Sequence, residues 1–189
     1  MVVPRRAPVL VLVGPSGVGK GSVVSEVQRH HPNVWVSISA TTRPPRPGEV
    51  DGEHYFFIDE SRFRELIDTD QMLEWAWVHG KHRYGTPREP VETRCERGIP
   101  VILEIDLQGA RQVRTTLPSA TFCFLAPPST GELERRLRSR ATETEAQIAQ
   151  RLQTARTEMA AIGEFEHVIV NNTVAQAARE VADLLHLVE

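Results

Sequence analysis

The sequence is short of lysine and cysteine, and it has no long hydrophobic run. Of its 22 basic residues only Lys20 and Lys81 are lysines, and 25 acidic residues leave a net charge of −3. Without excess positive charge the chain lacks the general field that draws proteins to nucleic acid, so we expect no nucleic-acid partner. No apolar stretch approaches the roughly 20 residues of a membrane helix. We therefore expect a cytoplasmic protein with no membrane segment and no obligatory protein partner.

The two cysteines, Cys95 and Cys123, stand alone in the sequence. They form neither a CxxC motif nor a metal-ligand spacing, which excludes a disulfide scaffold and predicts buried, inert thiols. A length of 189 residues suits a single domain, because domains commonly hold about 100–200 residues. The 40% of hydrophobic and 25% of charged residues are ordinary values, which exclude a disordered or collagen-like chain.

Strand and helix patterns alternate along most of the chain. Continuous apolar runs predict strands buried on both faces, and they lie at 9–13, 101–106, 121–125 and 167–170. Helical patterns lie at 22–29, 109–116, 130–138, 145–162 and 174–188. The alternation predicts an α/β fold in which a mostly parallel sheet is flanked by helices.

The segment 37–90 breaks this alternation. It opens with the proline- and arginine-rich stretch TTRPPRPGE, followed by strand-like pieces at 55–58, 73–78 and near Tyr84 and by a short helix at 59–67. We predict a small mixed α/β subdomain there, inserted between core segments 1–36 and 91–189 of one domain. A polar stretch at 139–146 lies between two arginine-rich helices, and we predict that it forms a short lid.

The strongest motif is GPSGVGK at 14–20, between a predicted buried strand and a predicted helix. Glycines let backbone N–H groups turn toward a phosphate, the helix adds its positive end, and the lysine reaches the β- and γ-phosphates. The motif predicts a nucleotide-binding P-loop. The predicted phosphate-binding residues are Gly14, Pro15, Ser16, Gly17, Val18, Gly19, Lys20, Gly21 and Ser22.

The P-loop departs from the usual pattern after its lysine. Gly21 stands where Ser or Thr normally contacts magnesium, so we expect Ser22 to face the α-phosphate. We expect Mg²⁺ to bind through phosphates and water, near Ser22 and Asp106, with no direct protein ligand assigned. Asp106 ends a predicted strand and is either an acidic group near the metal or the cap of the next helix. DLQG at 106–109 fits the DxxG of GTPases, but no NKxD follows it, and we discount that class.

A second signal is the pair Arg43 and Arg46 on a proline-stiffened loop. Guanidinium groups bind phosphate oxygens bidentately, so this spacing suits a dianionic phosphate, although a solvated basic turn is the alternative. Tyr55 and Tyr84 are either hydroxyl donors to the same phosphate or core aromatics.

A third signal is the set of arginines around residue 139. Most are expected to be solvated helix charges, but Arg140 and Arg151 flank the lid and are our choices for contacting transferring phosphates.

Together these motifs resemble guanylate kinases, which phosphorylate GMP with ATP. The resemblance runs through GPSGVGK, SATTRPPRPGEVDGEHY, LEWAWVHG, YGT, ILEIDLQG, FLAPPS, RATETE and VIVNN, in that order and over nearly the whole chain. It implies ATP-dependent conversion of GMP to GDP, with ATP and GMP as partners and Mg²⁺ as cofactor. It also implies a P-loop core, a GMP-binding region and a lid.

The resemblance also implies site roles. The catalytic residues would be Lys20, Arg46, Arg140 and Arg151, and Asn171 would lie near the adenine end of ATP. The GMP-binding residues would be Ser39, Arg43, Arg46, Glu49, Tyr55, Glu74, Tyr84, Thr86 and Asp106. Ser39, Glu74 and Thr86 would line the guanine pocket, and Glu49 would support the arginine loop. Ala141 follows Arg140 where the family usually has glycine, which leaves the lid's flexibility open.

Two other functions stay open at this point. Guanylate-kinase-like domains of scaffold proteins bind protein partners, but they lose the P-loop that this chain retains. A kinase for another nucleotide, such as AMP, is disfavoured because the inserted region is rich in strands and carries Glu74 and Thr86.

Overall fold

The structure is a computed structural model that describes residues 6–78, 80–139 and 144–187. The strands are β1 (Val9–Val13), β2 (Trp35–Val36), β3 (Ala40–Thr41), β4 (Phe56–Phe57), β5 (Met72–Val78), β6 (His82–Pro87), β7 (Val101–Glu104), β8 (Thr121–Ala126) and β9 (His167–Val170). The helices are α1 (Lys20–His30), α2 (Glu60–Asp68), α3 (Arg88–Glu96), α4 (Leu107–Thr116), α5 (Thr130–Ser139), α6 (Glu145–Ala160) and α7 (Val174–Leu184), with a 3₁₀ turn at Ile162–Glu164.

The core of the fold is a parallel sheet of five strands in the order β2-β7-β1-β8-β9. Residues 10–13 of the central strand β1 are fully buried. Leu10 and Leu12 pack in a cluster that includes residues of α1 and α7, whereas Val11 and Val13 pack in another with residues of α3 and α4. The alternation follows from the two-residue period of a strand, and it explains the unbroken apolar run.

A second sheet contains four strands in the order β4-β3-β6-β5. Strand β3 pairs with β4 in parallel and with β6 antiparallel, and β5 pairs with β6 antiparallel. Helix α2 begins after its cap Asp59, whose carboxylate accepts from the Arg62 N–H, and it buries Phe63 in a small separate core. The predicted α/β class, with a parallel sheet and an added mixed sheet, is confirmed. The domain boundaries at 37 and 90 stay predictions.

The short strands β2 and β3 were not predicted, and two further local features differ from the sequence prediction. Helix α3 was not predicted, because Pro87 and Pro90 suggest a break in its sequence. Pro90 lies in the first turn, where the missing N–H has no intrahelical partner, so the proline is tolerated. The strand predicted to reach Asp106 ends at Glu104 instead. Asp106 is the N-cap of α4 and accepts from the Gly109 N–H at 2.7 Å, which confirms the capping role of its carboxylate.

Both cysteines are buried, as predicted, and burial raises the pKa of the Cys123 thiol to about 12. Across the residues that the structure describes, no helix is long and apolar enough to cross a membrane.

Candidate nucleotide site

The glycine-rich loop connects β1 to α1 at the carboxyl edge of the parallel sheet. Its backbone turns at Pro15, whose carbonyl accepts from the Val18 N–H at 3.1 Å. Gly19 is the N-cap of α1, with a φ of 101° that favours glycine, and an added Cβ would lie 2.8 Å from Asn171 Nδ2. The loop and Glu104 line an open cavity of about 450 Å³. Its lining residues are Pro15, Ser16, Gly17, Gly19, Lys20, Gly21, Ser22 and Glu104.

Lys20 is the first residue of α1, and its ammonium donates to the carbonyl of Gly14. Burial lowers the pKa of Lys20, while the carboxylates of Glu104, Glu158 and Asp106 raise it in part. These carboxylates come from three different parts of the chain and interact electrostatically with one half-buried cation. The arrangement holds the lysine at the loop and leaves its charge balanced by acidic groups.

Two side chains from outside the loop, Asn171 and Arg136, bond to its backbone. The Asn171 Nδ2 donates to the carbonyl of Val18 at 2.8 Å. Arg136 on α5 donates to the carbonyls of Val18 and Asn171, each at 3.1 Å, and to the Glu132 carboxylate at 2.7 Å. Arg136 is therefore an exception among these mostly exposed arginines, because its guanidinium contacts the loop. Asn171 lies buried against the loop, and its predicted contact with adenine stays a prediction.

Helix α6 presents one face to the core. Residues 148, 151, 155 and 158 follow the helical spacing of three and four, and Ile148 and Ala155 are buried. Arg151 and Glu158 share that face and are partly buried. Burial raises the pKa of Glu158, opposed by Lys20 and by the backbone N–H of Ser16, so this carboxylate lies close to the P-loop. Residues 140–143, which are half of the predicted lid and include Arg140, lie outside the described residues.

The proline-stiffened loop with Arg43, Arg46 and Glu49, called the arginine loop here, is organised by a bidentate ion pair. Arg43 Nη1 and Nη2 donate to the two Glu49 oxygens at 2.9 and 2.8 Å, and Arg43 Nε donates to the Tyr84 hydroxyl at 3.0 Å. Glu49 also accepts from the Arg46 N–H at 2.6 Å, which closes the turn. These bonds, led by those from Arg43, lower the pKa of Glu49 to about 2. Arg43 is 9% exposed, whereas Arg46 is exposed.

The aromatic residues predicted for this loop lie together. The rings of Tyr55 and Tyr84 are 5.7 Å apart in an edge arrangement, and the Arg43 guanidinium lies 5.5 Å from the centre of the Tyr55 ring. Ser39 lies next to this group, because its carbonyl accepts from Phe56 at the start of β4. The structure therefore brings the arginine loop and both tyrosines to one place on the second sheet.

A buried carboxylate lies where the second sheet meets helix α4. Glu74 on β5 and Thr86 on β6 are cross-strand partners, and Thr86 Oγ1 donates to Glu74 Oε1 at 2.6 Å. A Cβ on Gly109 would lie 3.1 Å from Glu74 Oε2 and 3.3 Å from Asp106 Oδ1, so glycine permits the close approach. Burial raises the pKa of Glu74 to about 7, and the Asp106 charge adds to this effect.

Several residues at the site were missed by the sequence analysis. Glu104 and Glu158 flank Lys20, and Gln112 and Thr116 of α4 bond to the backbone of β5. The spacing of 151 and 158 predicts a shared helix face, so Glu158 could have been found together with Arg151. Nothing in the sequence marks the other three.

The glycine loop between the first strand and helix of a parallel sheet, with an enclosed lysine, defines a P-loop nucleotide-binding protein. The sequence model of the family described as Guanylate kinase matches residues 6–187. The chain belongs to the guanylate kinase family.

Relatives with known names cover nearly all of the chain. It is 55% identical to a guanylate kinase of Cutibacterium acnes, over 95% of this chain and 90% of the relative. It is 53% identical to a guanylate kinase of Thermobifida fusca, over 96% and 91%. A crystal structure of guanylate kinase from Anaplasma phagocytophilum is 30% identical and superimposes with a TM-score of 0.72, covering 96% of this chain and 86% of that one.

Proposed function

We propose that this protein transfers the γ-phosphoryl group of ATP to GMP, giving ADP and GDP. Membership of the guanylate kinase family supports this reaction. The observation that carries the choice of acceptor is the buried Glu74–Thr86 pair. The other residue roles below are part of the proposal.

Glu74 is proposed to read the guanine base. Its carboxylate can accept from guanine N1–H and the 2-amino group together, whereas adenine offers neither donor there. Glu74 is 9% exposed and Thr86 is fully buried. Bound adenine would leave the buried carboxylate without a donor, and the free energy of binding would then include the full cost of desolvating it. The Glu74–Thr86 pair therefore discriminates strongly against adenine. Ser39 is proposed to complete the pocket.

The GMP phosphate is proposed to bind at the arginine loop. Arg43 already donates to Glu49, Tyr84 and the carbonyl of Pro44, so it acts mainly as the organiser of the loop. Because the Tyr84 oxygen accepts from Arg43, its own proton is free to be donated to a phosphate. Arg46 is exposed and supplies the positive charge. Tyr55 is proposed to donate beside it.

ATP is proposed to bind at the P-loop, with its phosphates against the backbone N–H groups and Lys20. Arg151 shares the inner face of α6 with Glu158, close to the loop, and is proposed to contact the transferring phosphoryl group. Arg140 and the lid at 139–146 are proposed to close over it and exclude water. Asn171 is proposed to lie beneath the nucleotide toward its adenine end.

Magnesium fits the part of the P-loop cavity that is lined by Ser22 and Glu104. No group of three or more metal-binding side chains occurs among the described residues, so an all-protein magnesium cage is not part of the proposal. Mg²⁺ commonly binds through one or two carboxylates, several waters and substrate phosphates. Ser22, Glu104 and Asp106 would hold it in that way. The ion would neutralise charge on the phosphates of ATP.

The reaction needs no general base from the protein. The second pKa of a phosphate monoester is about 6, so the attacking oxygen of GMP is largely ionised at neutral pH. The protein must bring two anions together in line and neutralise the charge between them. The proposed cations are Lys20, Arg46, Arg140 and Arg151, aided by the metal.

The test is release of ADP from ATP with GMP, AMP, CMP or UMP as acceptor, for the wild-type protein and Glu74→Gln. We expect turnover with GMP alone, and we expect Glu74→Gln to lower kcat/KM for GMP about a hundredfold while the KM for ATP stays unchanged. Glu96→Gln, at an exposed position of α3, is the matched control. GMP binding without turnover would overturn the proposal that the protein is an enzyme, and it would favour a binding module.

A further inference from the structure

Strand β5 forms the edge of the second sheet, and helix α4 of the core covers that edge. The Trp75 N–H donates to Gln112 Oε1 at 3.0 Å, and Gln112 Nε2 donates back to the Trp75 carbonyl at 2.9 Å. The Thr116 hydroxyl donates to the Leu73 carbonyl at 2.6 Å. Edge strands leave such backbone groups unpaired, so the two α4 side chains take the place of a neighbouring strand.

These three hydrogen bonds lie on both sides of Glu74 in the sequence. Leu73 and Trp75 are its direct neighbours, so the strand backbone is held immediately before and after it. Gly109, Gln112 and Thr116 follow a spacing of three and four, which puts them on one face of α4. The face that binds the backbone of β5 is therefore also the face that the Glu74 carboxylate approaches at Gly109.

The contact between α4 and β5 joins the two parts of the proposed GMP pocket. The second sheet contributes Glu74 and Thr86, while the parallel-sheet core contributes α4 with Asp106. A carboxylate that accepts two hydrogen bonds from one base needs both of its oxygens in fixed directions. Thr86 fixes one oxygen, and the position of the whole side chain depends on the strand that carries it.

We propose that Gln112, assisted by Thr116, is a positioning residue for base recognition, because it locks the β5 backbone against α4 and so sets the direction of the Glu74 carboxylate. The inference rests on the proposed function, in which Glu74 reads guanine. Its specific consequence concerns the 2-amino group of the base. A correctly directed carboxylate accepts from both N1–H and this amino group, whereas a displaced one retains a single bond.

IMP is the probe for this consequence, because it carries the N1–H but has no 2-amino group. The quantity to measure is the ratio of kcat/KM for GMP to kcat/KM for IMP. Gln112→Met keeps length and helix propensity while removing both bonds to Trp75, and it is expected to lower the ratio about tenfold, with the KM for ATP unchanged. Thr116→Val is expected to lower it about threefold. Thr115→Val, at the exposed neighbouring position, is the matched control and should leave it unchanged.

A double-mutant cycle with Glu74→Gln tests whether Gln112 acts through Glu74. We expect the double variant to resemble Glu74→Gln alone, because the position of a carboxylate no longer matters once it is absent. If Glu74→Gln lowers the ratio but neither α4 variant does, the positioning role is overturned and the proposed function stands. If Glu74→Gln leaves the ratio unchanged, the proposed role of Glu74 and the positioning role of Gln112 both fail, whereas the phosphoryl transfer to GMP is judged by ADP release. Equal losses for GMP and IMP, or additive effects in the cycle, would show a merely structural role for Gln112 and overturn the inference.

Discussion

The two proposed phosphate sites of this protein are built in different ways. The P-loop is one continuous segment in which glycines give the loop its shape, and its backbone N–H groups and the start of α1 are proposed to bind phosphate. The arginine loop depends on side chains that meet across the second sheet: Arg43 bonds to Tyr84, 41 residues away, and to Glu49 in a bidentate pair. The first site is local in the sequence, and the second is assembled by folding.

The two sites also differ in how their charge is balanced. Lys20 is half-buried and its charge is offset by three acidic side chains, so we expect the P-loop to depend also on its backbone dipoles and on cations brought by other elements. At the arginine loop, Glu49 neutralises Arg43, and the exposed Arg46 retains its charge for a ligand. The comparison indicates that loss of Lys20 should affect chemistry, whereas loss of Glu49 should affect binding of the acceptor.

Removal of Lys20 is expected to have the largest effect. Lys20→Met deletes a cation proposed to contact the transferring phosphates, so kcat should fall on the order of a thousandfold. Binding of GMP, measured by calorimetry, should stay within about twofold, because Lys20 belongs to the other site. Lys81→Met changes the only other lysine and should behave as wild type. A Lys20→Met enzyme with near-normal turnover would remove this residue from the reaction.

Disruption of the arginine loop is expected to have a smaller effect than loss of Lys20, and to change the KM for GMP but not the KM for ATP. Glu49→Gln keeps the size of the side chain but removes the charge that accepts from Arg43 and from the Arg46 N–H. The KM for GMP should rise about fiftyfold, with little change in the KM for ATP. The control is Glu53→Gln, at an exposed position nearby. An unchanged or lower KM for GMP would instead mean that Glu49 competes with the phosphate for Arg43.

The P-loop could be predicted from the sequence, whereas the guanine pocket could be predicted only in part. GPSGVGK is contiguous, and the buried strand before it follows from an apolar run, so the structure forms the loop in the predicted place. The guanine pocket is different. Without the family resemblance, Glu74 is an ordinary charged residue on an aromatic-rich strand, and its pairing with Thr86 depends on the register of β5 and β6.

The contacts missed by the sequence analysis share a physical cause. Arg136 has an ion-pair partner four residues earlier on its own helix, so its sequence context favours a solvated position. Only the approach of α5 to the P-loop brings its guanidinium to the Val18 carbonyl. Gln112 and Thr116 are likewise polar residues on an amphipathic helix, and their partners are backbone groups, which leave no trace in the sequence. Tertiary packing decides such contacts, and local propensity does not.

The pH dependence of GMP binding separates the proposed guanine pocket from the arginine loop in the intact protein. The pKa of Glu74 is about 7 because burial disfavours its charged form, whereas the pKa of Glu49 is about 2, so Glu49 stays ionised. The proposed contact with guanine needs the ionised Glu74 carboxylate, whose fraction rises about tenfold between about pH 6 and 8. Together with the phosphate of GMP this should lower the Kd for GMP about twentyfold over that range. Titration of the GMP phosphate, with a pKa of about 6, accounts for only about twofold of this change.

Glu74→Gln isolates the contribution of this one carboxyl group. The variant should retain only the twofold change that comes from the phosphate. A raised carboxyl pKa also means that the folded state binds this proton more tightly than the unfolded state, so the group's contribution to stability falls as the pH rises from about 4.5 through about 7. Glu74→Gln should therefore melt a few degrees above wild type at pH values near 8, and the difference should shrink toward about pH 5. A tenfold pH dependence that survives in Glu74→Gln would place the titrating group elsewhere, and would remove the link between burial of this carboxylate and selection of the base.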